Sequence, residues 1–439
     1  MFTATVPPIA YRDPWTQPIE DRLAALLRPA ARRVAYLYEL PDTSTFRYRV
    51  FNMVQALRDA PDIAAAWFVV PEIPRLLPLL DRCDALVVCR TRYDAAVGHL
   101  LNLAHSRGVL TIYDCDDLIF DPGYAHLLMH ALDQPMFEKS WDAWFALTAR
   151  NGATLQLCQR AIVTNDFLAA RLRACAPDKD VRVVPNFLER TQLDVSRRLY
   201  EAKRASGFAR DGRIHLGYFS GTPTHRRDFA LIADALAALL RDDPRVVLRI
   251  VGFLEPGGPL AAFADRIERF SLQDYLNLQR LIAAVEFNLV PLQSNDFTAC
   301  KSELKYFEAA IVGTATLATP APAFRDAIRD GDNGRLVPSY AWREALQAAI
   351  AELDAYPALA ARAFAHAQAQ YSPQAMLPAI RDALFAPRGA PDQAQMRRSA
   401  PASPSTGSES GSFTLDTLRS TSAYSAGSPR RVSKAAAPG

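Results

Sequence analysis

Short apolar runs alternate with amphipathic stretches along most of the chain. VAYLY (34–38) is apolar and β-rich. The stretch after it, RYRVFNMVQALRDA, places Val50, Met53, Val54 and Leu57 at helical spacing. AAAWFVV, DALVVC (84–89), VLTIY (109–113), AIVT (161–164) and VRVV (181–184) read as further strands. Helical patterns lie between most of them, such as DAAVGHLLNLAHSRG, which stops at Gly108. After PNFLER and a charged helix, RRLYEAKRA, the pattern restarts. IHLGYF (214–219), VVLRIVG (246–252), EFNLV (286–290), ATLAT (315–319) and GRLV (334–337) are strands, and DFALIADALAALLRDD is an amphipathic helix. Strands alternating with helices predict parallel sheets covered on both faces. The chain therefore reads as α/β, with two doubly wound domains facing a cleft. An N-terminal extension (1–30) carries a short helix in DRLAALLRPAARR. The first domain covers 31–190 and the second 191–370, and a terminal helix follows at 371–387. From 388 to 439 Ser, Ala, Pro and Gly dominate without apolar periodicity, which predicts a disordered tail.

A length of 439 residues suits two such domains, and 50% hydrophobic residues can fill their cores. Lys and Arg (50) nearly balance Asp and Glu (47), so a dedicated nucleic-acid partner is not expected. The six cysteines form no CxxC pair and read as buried thiols of a reducing compartment. MFTATVPPIAYRDPW has no basic segment followed by an apolar run, and no run of about 18 apolar residues follows elsewhere. A cytoplasmic protein is the expectation. The basic end of the tail (Arg430, Arg431, Lys434) offers at most a weak, salt-sensitive contact with the inner membrane surface.

The most informative segment is SNDFTACKSELKYFEAAIVGTATLAT (294–319), a loop, a helix and the next strand. On one continuous helix, Lys301, Lys305 and Glu308 would share a stripe at its exposed edge, beside the apolar Leu304, Phe307 and Ile311. Two ammoniums suit a diphosphate, and a carboxylate suits a ribose diol. In SGTPTHRR (220–227), Ser220, Gly221 and Thr222 are small enough for backbone N–H groups to approach a phosphate, and His225, Arg226 and Arg227 lie at the start of the next helix. YDCDD puts Asp114, Asp116 and Asp117 at a strand end, open to three readings: an acceptor patch, a metal-binding DxD, or helix capping. Arg47 and Arg49 follow the first strand, where an anionic substrate could sit. His126 and His130 lack a third ligand, so no metal is expected there. No GxSxG or GxGxxG context supports a hydrolase or a nicotinamide dehydrogenase.

CKSELKYFEAAIVGTATLAT resembles the donor-site helix of GT-B glycosyltransferases of the family 4 type, and GYFSGTPTHRRDF (217–229) resembles their phosphate turn. VVPNF (183–187) is similar to the junction between their two Rossmann-like domains. YDCDDLIF (113–120) and FRYRV (46–50) resemble first-domain elements of a bacterial cell-surface polysaccharide branch. The resemblance implies transfer of a sugar, with retention, from a nucleotide-diphosphate sugar to a glycan or lipid-linked glycan, without metal or other cofactor. It implies that Glu308 holds the ribose, while Cys300 stands where a first glutamate commonly falls. Thr222 sits near the place of the usual arginine, and His225, Arg226 or Arg227 near that of the lysine. Phosphate handling is then shared among Lys301, Lys305 and residues 225–227. Lys301 and Arg226, with Asp117, are the candidate catalytic groups. Ser220, Gly221, Thr222, His225, Arg227, Lys305 and Glu308 bind the donor; Arg47, Arg49, Asp114 and Asp116 bind the acceptor. A nucleotide-sugar 2-epimerase and a non-catalytic nucleotide-sugar-binding subunit share the same outline.

Overall fold

A computed structural model describes residues 1–4, 6–221 and 225–388. The predicted tail, its first residue apart, and Thr222 lie outside the described residues. Six strands, β1 (Arg32–Tyr38), β2 (Ile63–Val69), β3 (Ala85–Cys89), β4 (Leu110–Cys115), β5 (Arg160–Val163) and β6 (Asp180–Val183), form a parallel sheet in the order β2-β1-β3-β4-β5-β6. Six more, β7 (Ile214–Ser220), β8 (Val246–Gly252), β9 (Ile267–Phe270), β10 (Phe287–Val290), β11 (Ala315–Ala318) and β12 (Arg335–Leu336), form a second parallel sheet in the order β12-β11-β10-β7-β8-β9. Helices pack on both faces, so each inner strand is apolar on both sides. In β1, Val34 and Tyr36 face one core while Ala35 and Leu37 face the other. The strand absent from the sequence reading is β9, IERF. It is an edge strand, pairs only with β8 and buries none of its residues fully, so it carries no apolar run.

The two lobes share a core. Val184, Phe187 and Leu188 of the crossover segment pack with residues of both sheets, and the helix Arg190–Ala205 leads into the second lobe behind a capping box of Glu189 and Gln192. The terminal helix Pro373–Phe385 returns to the first lobe, where Arg160 Nη1 donates to the Ala383 carbonyl (2.8 Å) and Arg381 pairs with Asp62 (2.7 Å). Residues at the start of the chain also join the lobes. Phe2 packs on Tyr356 (5.3 Å between centroids), the Ile9 N–H donates to Asn277 Oδ1 (3.0 Å) and its carbonyl accepts from Asn277 Nδ2 (2.9 Å), and Trp15 meets Phe46 and Phe51 (both 5.7 Å). The predicted extension is therefore a staple across the seam, followed by the helix Ile19–Leu27 beside β2. In the other direction, Phe297 and Cys300 of the second lobe insert into the core of the first.

Arg47–Phe51 is one turn of π-helix leading into the helix Asn52–Leu57. Its Arg49 is fully buried and forms a two-point pair with Asp114 (2.8 and 2.9 Å). Arg49 Nη1 also donates to the Val184 carbonyl (2.7 Å) and to Asn186 Oδ1 (3.2 Å), which fixes the crossover against the first sheet. This corrects the expectation that Arg49 and Asp114 bind an acceptor. β4 runs on to Cys115, so Asp114 lies within the strand, on the face shared with Ile112, and solvent reaches neither partner. Asp114→Ala would leave a buried guanidinium unpaired, and should lower the unfolding free energy by about 3–5 kcal/mol in denaturant titration.

Candidate active site

In doubly wound sheets a ligand sits beyond the C-terminal strand ends, where neighbouring strands connect in opposite directions. The first sheet has that point between β1 and β3, the second between β7 and β10. The loops after these four strands line one cavity of about 540 Å³, with Thr43–Thr45 and Arg90 on one side and Ser220, Gly221, Leu292 and Lys301 on the other. Close packing shapes the β7 turn. Gly252, at the end of β8, has φ of +103°, and a Cβ there would lie 1.8 Å from the Ser220 carbonyl oxygen. Only glycine lets β8 end against that turn.

The segment after β10 departs from the sequence reading. A four-residue helix, Asp296–Ala299, is capped by Asn295, the chain turns at Cys300–Glu303, and a second helix runs from Leu304 to Ala310. Lys301 thus lies in the turn, and only Lys305 and Glu308 are helical. The break follows from packing: with Cys300 committed to the first lobe's core, Asn165 Nδ2 donates to its carbonyl (2.9 Å) and Asn186 Nδ2 to Ser302 Oγ (3.0 Å). Lys301, Lys305 and Glu308 nevertheless line the same cavity. Lys301 Nζ lies 3.8 Å from Asp117 and 4.5 Å from the centre of the Phe297 ring. Lys305 Nζ lies 5.3 Å from the centre of the Tyr218 ring, and burial, helped by Lys301, pulls its pKa down to about 8. His225 bonds Asp228 (3.1 Å); burial and the nearby Lys305 and Lys301 lower its pKa to about 4 despite that carboxylate.

Glu308 is buried rather than at an exposed edge. Its Oε1 accepts from the Tyr48 hydroxyl, from Arg47 Nη2 (3.2 Å) and from Gln192 Nε2 (3.3 Å). Arg47 lines the cavity, but its guanidinium is held by Glu308, Gln192 and the Thr43 carbonyl. On the first-lobe side Arg90, in a left-handed conformation (φ +40°), pairs with Asp116 (2.8 Å) and Asp117 (3.2 Å). Burial opposes ionisation of Asp116, yet Arg90 and Thr45 hold it below the usual carboxylate range. Beside these groups Ile119, Leu128, Leu132, Trp144 and Leu147 form an apolar wall.

Two expected phosphate ligands fall outside the cavity. Arg226 is exposed, and Arg227 reaches the first lobe instead, bonding Asp133 (3.0 Å) and His130 (2.6 Å). Cys300 does not line the cavity, and neither does Glu303, whose pKa burial raises to about 7.

Residues 213–355 match the family model of Glycosyl transferases group 1. The fold is of the GT-B type. It is similar to that of HepE of Anabaena, in a complex with UDP and glucose (TM-score 0.54, 14% identity, 80% of this chain and 98% of that one). Sucrose-phosphate synthase of Thermosynechococcus elongatus is similar as well (TM-score 0.56, 15% identity, 79% and 96%). So is WaaG, a glycosyltransferase involved in lipopolysaccharide biosynthesis (TM-score 0.53, 15% identity, 81% and 100%). Comparison with curated proteins gives no match.

Several groups of the cavity were not singled out in the sequence: Tyr48, Arg90, Asn186, Tyr275 and Ser302. Arg90 had a usable signal, since it directly follows a strand at the first sheet's switch point. Tyr48 lay between the two arginines that were chosen.

The lowered pKa of His225 has a measurable sign. Between about 4 and the ordinary 6.5 the unfolded chain binds the proton more readily, so this residue makes stability fall as pH drops through that window. NMR titration should give a His225 midpoint near 4, and His225→Gln should flatten the acid limb of the stability curve.

Proposed function

We propose that this protein is a glycosyltransferase that moves a sugar, with retention, from a nucleoside-diphosphate sugar on the second lobe to a hydroxyl of a glycan or lipid-linked glycan facing the first lobe. The reading rests on the convergence of Lys301 and Lys305 with the Ser220–Gly221 turn in one cavity, beside a buried carboxylate. Transfer leaves negative charge on the departing diphosphate. Ammonium groups fixed before the reaction stabilise that charge without reorganisation. Lys301 is the catalytic candidate that fits best, because it shares the cavity with the donor turn and its Nζ lies 3.8 Å from Asp117. Asp116 and Asp117 are both already paired with Arg90, which favours their role as an acceptor rim over cation binding. Retention is supported by the resemblance of the 294–319 segment, with the donor phosphate receiving the acceptor's proton.

An acceptor with an apolar portion suits the wall formed by Leu128, Leu132, Trp144 and Leu147. The wall continues onto the helix Glu138–Leu157, where Phe145 is exposed, as are Met136 and Phe137 just before the helix. That continuity supports a role in surface-glycan assembly at a membrane face. Among the described residues no helix is long and apolar enough to cross a membrane.

Two measurements test the donor assignment. Lys305 is half-deprotonated near pH 8 in the free protein, and a bound diphosphate would restore its charge. Calorimetry with UDP, in buffers of different ionisation enthalpy, should show uptake of about half a proton per site at pH 8, rising toward one at pH 9. Lys305→Arg should abolish the uptake, and Lys305→Met should weaken binding by about 1.5–3 kcal/mol. In the second measurement, turnover of a UDP-sugar on a glycan acceptor should survive EDTA. Activity lost to EDTA and restored by Mn²⁺ would return the aspartates to a metal-binding role.

A further inference from the structure

The carboxylate assigned to the donor ribose is held chiefly from outside its own lobe. Arg47 and Tyr48 come from the π-turn that follows β1, while Glu308 lies on the helix Leu304–Ala310 of the second lobe. The Tyr48 hydroxyl and Arg47 Nη2 both donate to Oε1, and Gln192 Nε2 joins them from the crossover helix. Oε2 makes no protein hydrogen bond among the described residues. One carboxylate oxygen is thus saturated by the first lobe and the seam, and the other remains for a diol in the cavity that Glu308 lines.

The holding groups are themselves fixed. The Arg47 guanidinium carbon lies 4.0 Å from the centre of the Tyr48 ring and 4.7 Å from that of Tyr275, a second-lobe residue. Its Nε donates to the Thr43 carbonyl (3.0 Å) and its Nη1 to Gln192 Oε1 (3.0 Å). The Tyr48 ring sits edge-on to Phe307 (6.2 Å), the neighbour of Glu308. An α-helical turn spaces successive side chains by about 100°, whereas the wider π-turn sends three consecutive residues inward. Arg47, Tyr48 and Arg49 are all buried, the first two against Glu308 and the third against Asp114.

We infer that Tyr48 and Arg47 are positioning residues: they orient Glu308 so that its free oxygen meets the donor's ribose hydroxyls, and so make ribose recognition depend on the first lobe's contact with the second. This deepens the donor reading above and rests on Glu308 serving the ribose. The inference predicts that removing the Tyr48 hydroxyl weakens recognition of the ribose diol and leaves contacts with the diphosphate and base intact.

The test compares UDP with 2′,3′-dideoxyuridine diphosphate by calorimetry, in the wild type, Tyr48→Phe, Arg47→Lys and Glu308→Gln. The wild type should bind UDP at least about tenfold more tightly than the dideoxy analogue, the scale of a charge-assisted hydrogen bond. In Tyr48→Phe that ratio should shrink at least threefold, with affinity for the dideoxy analogue unchanged. Arg47→Lys keeps the charge and loses the fork, and should move the ratio the same way. A purely structural defect would weaken both ligands together and leave the ratio intact, and that result would overturn the inference. Glu308→Gln separates the two layers of the argument. If it collapses the ratio and the Tyr48 and Arg47 variants do not, Glu308 serves the ribose without their help and the inference fails alone. If Glu308→Gln also keeps the wild-type ratio, the ribose assignment itself is wrong.

Discussion

Two guanidinium groups two residues apart, on Arg47 and Arg49, are buried where the lobes meet, and each needs an opposite charge at bonding distance. A buried ion left unpaired costs several kcal/mol, so the fold has to deliver the partners. Asp114 arrives within β4 and Glu308 from the helix after β10. The first pair holds the crossover segment through Val184 and Asn186. The second pair joins the lobes across the cavity. Much of the seam is arranged around these demands: the capping box at Glu189, the position of Gln192, and the stacking of Arg47 between Tyr48 and Tyr275.

The seam also distributes the chemistry. Cations of the second lobe, Lys301 and Lys305, line one side of the cavity, and the Arg90-paired aspartates of the first lobe line the other. Among the described residues only one weak contact, Lys301 to Asp117 at 3.8 Å, spans them directly. A departing diphosphate would therefore meet ammonium groups held in place by packing, not by tight ion pairs. Such cations stay available to a ligand, and burial together with Lys301 lowers the pKa of Lys305.

The legible parts of the sequence were those with local signals. Eleven of the twelve strands in the described residues show as apolar runs, the eight inner ones because both their faces are buried and the edge strands β2, β6 and β12 through apolar residues such as Phe68, Val181 and Leu336. β9, also an edge strand, escaped because Glu268 and Arg269 interrupt it. The β7 turn, Lys301, Lys305 and Glu308 were legible because small residues and paired charges beyond a strand end suit a phosphate ligand. The true ends of strands and helices were less legible. A two-residue extension of β4 turns Asp114 from a rim group into a core group. A break at Cys300 takes Lys301 off the helix without taking it out of the cavity.

By itself the sequence determined the alternation of strands and helices, and with it two doubly wound sheets whose connecting loops carry the polar chemistry. Those properties depend on neighbours within a few residues and on burial averaged over a segment. Which charged groups face the ligand was decided only by tertiary structure. Arg47, Arg49, Arg226 and Arg227 look alike as exposed cations in the sequence. Folding buries the first against Glu308 and the second against Asp114, leaves the third in solvent and ties the fourth to Asp133. Each outcome depends on a partner or a surface remote in the chain, brought close by packing of the two lobes, and no local pattern encodes it.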